Sequence, residues 1–303
     1  MVDISFVITV FNKSEYIRST IDSISRQTSN LNCEYILVDD ASSDNSIEII
    51  KEIFKNSKNY TILVNNQNVG PAISLNKGCQ AASGKYLFLM DADDILVQNA
   101  LKIMIDCLKI EEADFVFGGH QNTQQDQHQL ISSKRSIINN SYEVSFNPLT
   151  TILKGRYVRM AYLVTKDLYL KSKGADERIF IQDESLPLRL AYHAKKMVTL
   201  KDVAVYAPGK VSSLSSNKLR QNHDKFYAYY FALLEFEGLD SFQKLEIYKR
   251  AVSCVWKAKK NSGNLINKLF LFTYLKTKLI PVSKNSMIKN LNQYKSFIDQ
   301  LII

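Results

Sequence analysis

Apolar residues in the first third of the chain follow two alternating rhythms. Short unbroken runs, Ile4 to Val10, Tyr35 to Val38, Thr61 to Val64 and Tyr86 to Met90, have the length and composition of buried strands. Between them the apolar positions recur at helical spacing. Ile17, Ile21 and Ile24 share one face, as do Ile47, Ile50 and Phe54. Asn12, with Glu15 three residues on, resembles a capping box for the first helix, and Asp44 is a candidate cap for the second. Asn68-Val69-Gly70-Pro71 leads into a third helix around Ala72 to Ala82, which Gly84 breaks. Strand and helix alternating in this way predict an α/β fold with a mostly parallel central sheet flanked by helices.

Further on the rhythm changes. Phe115 to Phe117 is strand-like, whereas His120 to Ser136 is rich in Gln, Asn and Ser, lacks periodicity and predicts a loop. Order resumes near Tyr142. From about Asn217 the pattern is helical, with Leu245, Tyr248, Val252, Val255 and Trp256 interleaved with lysines. The expected organisation is an α/β domain over 1–216 and a basic helical C-terminal region over 217–303.

Composition supports a folded chain: of 303 residues, 46% are hydrophobic and 23% charged. The net charge of +9 is unevenly placed, because residues 1–217 carry 24 basic and 24 acidic side chains, and the rest carry 15 and 6. The basic tail therefore has a partner or a role of its own, or simply faces water. Cys33, Cys79, Cys107 and Cys254 are widely spaced and predict neither a disulfide framework nor a zinc site. His120, His128, His193 and His223 show no metal-ligand spacing and are read as surface or packing residues. The N-terminus shows no secretion signal, and the apolar cluster Leu269 to Leu275 is far below the roughly 20 residues that span a bilayer. A cytoplasmic location is expected.

In open α/β sheets ligands bind at the carboxyl ends of the strands. Three polar clusters stand there: Thr9-Val10-Phe11-Asn12, Asp39-Asp40 and Asp91-Ala92-Asp93-Asp94. Carboxylates two residues apart in an extended segment point the same way and can share a divalent cation with a substrate diphosphate. The alternative for such a cluster is to cap a helix or line a turn, as Asp94 is placed to do.

Taken together, the passages SFVITVFNKSEYI, YILVDDASSDNS, NNQNVGPAISLNKG and ASGKYLFLMDADD resemble the inverting family-2 glycosyltransferases, closely over residues 1–115. The resemblance implies a GT-A type fold, a nucleotide-sugar donor and Mn²⁺ or Mg²⁺. It makes 1–115 the nucleotide-binding half and 116–216 the half that holds the acceptor and catalytic base. It places Thr9, Phe11, Asn12, Glu15 and Asn68 at the donor, Asp40 on the base, Asp91 at the ribose or metal, and Asp93 as principal metal ligand. The family's Asp-x-x-Leu-x-Leu-Arg-Leu pattern matches at Asp183, Leu186, Leu188, Arg189 and Leu190, making Asp183 the general base. The alternative for Asp183 is a helix cap, and Glu184 is its neighbouring rival.

Two departures stand out: Ser74-Leu75-Asn76 replaces Ala-Arg-Asn, removing an Arg that could touch phosphate or base, and Gln182 stands where many relatives have Glu. Uridine diphosphate remains the expected nucleotide. The resemblance also implies a glycan or lipid-linked glycan acceptor, as in bacterial surface polysaccharide or lipopolysaccharide synthesis. Competing readings are a nucleotidyltransferase of similar fold, which the absence of glycine from Ile8 to Lys13 disfavours, and a non-catalytic sugar-nucleotide-binding or scaffold protein. No nucleic-acid-binding motif is present. Between Ser241 and Ile303, 12 basic and 2 acidic residues lie among Trp256, Phe270, Phe272 and Tyr274, the composition of an interfacial segment. An anionic surface at the inner face of the cytoplasmic membrane is thus an expected partner, with packing on the catalytic lobe or on a second subunit as the alternative.

Overall fold

A strand whose residues are nearly all buried belongs inside a sheet, and β1 (Ile4–Val10) is buried everywhere except at half-buried Thr9. The computed structural model describes residues 2–28, 31–124, 130, 141–155, 161–208, 217–261 and 283–301. In it β1 lies between β2 (Cys33–Asp39) and β4 (Tyr86–Asp91), both parallel to it, with β3 (Tyr60–Val64) parallel outside β2. The chain therefore winds outward from β1 to β3 and then crosses back to lay β4 on the other side of β1. That reversal opens a crevice at the carboxyl ends of β1 and β4.

Beyond β4 the sheet becomes mixed. The remaining strands are β5 (Ile95–Leu96), β6 (Phe115–Thr123), β7 (Tyr142–Ser145), β8 (Tyr162–Thr165) and β9 (Met197–Pro208). The order is β3-β2-β1-β4-β8-β6-β9-β5, with β7 also on β9. β8 runs antiparallel to β4 and β6, whereas β6 and β9 are parallel. β6 corrects the expected loop from His120 onward: His120 to Thr123 pair with Val205 to Pro208. Their polar, largely solvated side chains hid the strand, because that pairing rests on backbone groups. The rest of the expected loop, including His128 and all but Leu130 of residues 125–136, lies outside the described residues.

Side chains alternate across the sheet, and each face has its own core. On one face Phe6, Ile8, Leu37, Phe88 and Met90 meet Ile17, Ile21, Ile24 and Ile50 from the first two helices. On the other, Val7, Val38, Leu87 and Leu89 meet Ala72, Leu75 and Cys79 of the Pro71–Ala81 helix. That second core continues into Leu186 and Leu190 of the Gln182–His193 helix and Phe226, Leu233, Val252 and Val255 of the C-terminal helices. Those helices are Lys218–Glu235, Ser241–Asn261, Lys284–Asn292 and Lys295–Asp299. The apolar stripe expected of an interfacial segment faces inward where it is described: Tyr248, Val252 and Val255 are buried, and Leu245 and Trp256 pack against the core. Leu269 to Leu275, with Phe270, Phe272 and Tyr274, lies outside the described residues. Among the described residues no helix is long and apolar enough to cross a membrane.

The capping box expected at Asn12 and Glu15 does not form. Lys13 O accepts the N–H groups of Tyr16 and Ile17, so the helix starts only at Ile17, with Tyr16 at the cap position and no side-chain cap. Asn12 instead turns left-handed (φ 52°) and its Oδ1 accepts the Ser43 N–H at 2.8 Å, joining the loops after β1 and β2. Asp44 meets its expectation in part. Its Oδ1 accepts the Ser46 N–H at 3.0 Å at the start of the Ser46–Ile53 helix, from one residue before the cap position.

Candidate active site

Strand register brings the polar clusters together. Thr9 pairs with Asp91 and Val10 with Asp39, so the carboxyl ends of three parallel strands present their side chains along one edge. Phe11, 44% exposed, and exposed Asn12 and Glu15 follow directly on the loop after β1.

Asp40 is buried, and its carboxylate is engaged by the protein. Oδ1 accepts from Asn65 Nδ2 at 2.8 Å and from the Val69 N–H at 2.9 Å, and Oδ2 from the Gly70 N–H at 2.8 Å. Its evident structural effect is to hold the 65–70 loop, which carries exposed Asn68, over the end of β2. Gly70 is required there, because its φ is +92° and a Cβ would lie 2.6 Å from the Phe180 ring. Asp39 donates nothing: Oδ2 accepts the Ser42 N–H at 3.0 Å, and buried Oδ1 finds no hydrogen-bond partner.

Asp91 and Asp93 are half-buried on the turn that leaves β4, closed by the Asp94 N–H on Asp91 O at 3.2 Å. The Lys13 ammonium lies against Asp93 Oδ2. An ammonium against a carboxylate marks a position that takes positive charge, so the hard oxygen donors of Asp91 and Asp93 fit a small divalent cation. Among the described residues no three His, Cys, Asp or Glu side chains gather as a metal cage. Two protein carboxylates leave coordination positions for substrate and water oxygens.

The second half of the site arrives with the Gln182–His193 helix. Gln182 Nε2 donates to Asp91 Oδ1 at 3.3 Å, bringing the helix start to the end of β4. Half-buried Asp183 is the next residue, in the first turn, while Ile181 holds the cap position without a side-chain cap. Glu184 faces the other way, buried and paired with Lys225 Nζ at 3.2 Å, and burial pushes its carboxyl up to about 7. Leu75, standing in place of an Arg, is fully buried. Asn76 makes four hydrogen bonds within the protein: to Tyr169 OH, Ala175 N–H, Ala175 O and Glu177 Oε1, at 2.6 to 2.9 Å.

Lys13 and Asp224 belong to this arrangement and were not singled out from sequence. Lys13 could have been noticed as the cation closing the first strand-end loop; Asp224 carries no local signal. His223, read from the sequence as a surface or packing residue, is buried with Nδ1 2.7 Å from Asp224 Oδ1.

The family model described as glycosyl transferase family 2 matches residues 5–164, just over half of the chain. Glycosyltransferase GlyG of Streptococcus pneumoniae is 33% identical over 119 residues, covering 39% of this chain and 39% of that protein. The putative teichuronic acid biosynthesis glycosyltransferase TuaG of Bacillus subtilis is 28% identical over 123 residues, 41% of this chain and 48% of that one. The chain thus spans less than half the length of both relatives. In fold it resembles S. aureus TarS 1-349 in complex with UDP-GlcNAc, with a TM-score of 0.64 at 14% identity, covering 91% of this chain and 79% of that one. It also resembles the mannosyltransferase PcManGT of Pyrobaculum calidifontis in complex with GDP-Man and Mn²⁺, with a TM-score of 0.62 at 15% identity, covering 99% and 84%.

Proposed function

Since the chain belongs to glycosyl transferase family 2, and is a glycosyltransferase of GT-A fold, we propose that it moves a sugar from a uridine diphosphate donor to an acceptor hydroxyl with inversion. The observation that carries this reading is the Gln182–Asp91 hydrogen bond, which sets the helix bearing Asp183 beside the strand-end carboxylates. The donor's nucleoside lies along Thr9, Phe11, Asn12, Glu15 and Asn68, over the loop that Asp40 holds. Asp183 takes the proton of the acceptor hydroxyl as its oxygen bonds to the anomeric carbon. The bond from that carbon to the diphosphate oxygen breaks on the opposite face, and the nucleoside diphosphate leaves.

Asp91 and Asp93 would hold Mn²⁺ or Mg²⁺, whose charge would offset that of the diphosphate leaving group. Lys13 adds a second positive charge on the same side. The UDP-GlcNAc bound to TarS and the GDP-Man and Mn²⁺ bound to PcManGT support a nucleotide-sugar donor and a metal, and the place of TuaG in teichuronic acid biosynthesis supports a bacterial surface glycan or its precursor as acceptor. We place the enzyme in the cytoplasm at an anionic membrane face, to which exposed Lys257, Lys260 and Lys289 would contribute positive charge. Co-sedimentation with anionic liposomes at low salt, and release at high salt, checks that placement.

The test of the chemistry is release of nucleoside diphosphate from a panel of nucleotide sugars with and without Mn²⁺. A uridine diphosphate sugar should be turned over only with metal, and Asp183→Asn should cut turnover by about two orders of magnitude. Turnover of no uridine diphosphate sugar, alongside turnover of a guanosine diphosphate one, would overturn the nucleotide assignment.

A further inference from the structure

The helix that carries Asp183 has no cap of its own. Ile181 occupies the cap position without a side-chain cap, and Asp176, the nearest Ser, Thr, Asp or Asn before it, is engaged instead by Arg178 and Arg189. The peptide groups at that entrance are satisfied from far along the chain. Asp224, on the Lys218–Glu235 helix and 1% exposed, accepts the Ile181 N–H at 2.8 Å and the Phe180 N–H at 3.2 Å, both on Oδ2. Its Oδ1 is held by His223 Nδ1 at 2.7 Å, so the carboxylate cannot rotate freely. A carboxylate at a helix N-terminus also complements the helix dipole.

The same entrance is gripped on two further sides. Arg220, one turn before Asp224, places its guanidinium 4.6 Å from the centre of the Phe180 ring, and that ring lies against Gly70. Phe180 O accepts the Ala72 N–H at 3.3 Å. One residue after Asp224, Lys225 pairs with Glu184 in the first turn of the helix. Residues 180–184 are thus fixed between the Gly70–Ala72 end of the donor half and one face of the Lys218–Glu235 helix. That face lies outside the stretch matched by the family model, which ends at residue 164.

We infer that Asp224 is a positioning residue for glycosyl transfer: by holding the Phe180 and Ile181 peptides it sets the rise and rotation of the helix that aims Asp183, and with it Gln182, at the strand-end carboxylates. The inference rests on the proposed role of Asp183 as base. A displacement of about 1 Å in such a group can cost about a hundredfold in rate, whereas the donor loops keep supports of their own in Asp40 and in the register of β1 with β4.

The experiment compares Asp224→Ala and Asp224→Asn in the full chain. The amide retains an oxygen that can accept both peptide N–H groups, so it should rescue what the alanine loses. Asp224→Ala should lower kcat by about ten- to a hundredfold while the donor KM and the calorimetric affinity for UDP stay within about twofold. Asp224→Asn should recover most of the loss. In an Asp183→Asn background, Asp224→Ala should add little, because the group it positions is gone. Hydrogen exchange supplies a readout independent of turnover: peptides covering 180–184 should exchange faster in Asp224→Ala than in Asp224→Asn or the unaltered chain. Unchanged kcat, unchanged exchange at 180–184, or equal loss of UDP affinity and turnover in both variants would overturn the inference. Full turnover in Asp183→Asn would instead remove the base assignment, and is read separately from the exchange result.

Discussion

The two halves of the site are positioned by different physics. On the donor side, Thr9, Asp39 and Asp91 stand at the ends of neighbouring parallel strands, and the pairing register alone brings them together. On the acceptor side, Asp183 sits on a helix that meets the end of β4 through Gln182, and its entrance is fixed by side chains about forty residues further along. Backbone ladders tolerate changes of individual side chains, whereas a clamp made of a few buried polar groups depends on each of them. The donor half should therefore lose function chiefly through the groups that touch the ligand, and the acceptor half also through groups that never do.

The largest effects separate the halves directly. Asp93→Asn removes a charge proposed to hold the cation and leaves Lys13 without its carboxylate, so turnover should fall to the level seen without added metal, and UDP binding should lose its dependence on Mn²⁺. Asp183→Asn should lose about a hundredfold or more in turnover yet bind UDP as the unaltered chain does. Calorimetric titrations with and without Mn²⁺, set beside steady-state rates, check both. If Asp183→Asn weakened UDP binding as much as turnover, the division of labour between the halves would fail.

The same division explains what could be read from sequence. Strand-end chemistry was legible because apolar runs of fixed length put Thr9, Asp40, Asp91 and Asp93 at the ends of strands that must be neighbours. Asp183 is proposed through the resemblance in its helix and not from its surroundings. Asp224 was invisible, since nothing about an acid between His223 and Lys225 announces two peptide groups at 180 and 181 as its partners. Asn76 lies between these cases. It occupies a familiar place in the motif, yet its four hydrogen bonds run to Tyr169, Ala175 and Glu177, within the acceptor half. Asn76→Ala leaves the buried Tyr169 hydroxyl and both Ala175 peptide groups without their partner and should lower stability by about 2–4 kcal/mol. Urea unfolding measures it. A loss below about 0.5 kcal/mol would mean that the junction between halves is carried by the sheet and not by this side chain.

The smallest effect is a pH slope, and it probes the clamp itself. Glu184 is buried beside Lys225 and Asp224, with Tyr229 and Cys254 also within its field, and its carboxyl is pushed by burial from 4.5 up to about 7. The attraction of Lys225 works against that rise, and the charge of Asp224 works with it. In the unfolded chain the proton leaves near 4.5, whereas the folded chain keeps it to about 7, so between these values the folded state binds more protons. Stability then falls as pH rises through that window, by at most about 1.4 kcal/mol per pH unit, and levels off above it. Glu184→Gln binds no proton at this position in either state, so the fall in stability between pH 5 and pH 7 should be shallower in the variant. Any difference in packing between the neutral carboxyl and the amide shifts the curve without tilting it, and the charged contact with Lys225 is lost only where Glu184 is ionised, above about pH 7. Urea unfolding of both proteins at pH 5, 6, 7 and 8 gives the difference in slope. Parallel curves would place the Glu184 carboxyl in a more solvated setting, and would loosen the contact between Lys225 and the first turn of the Asp183 helix on which the contrast between the two halves depends.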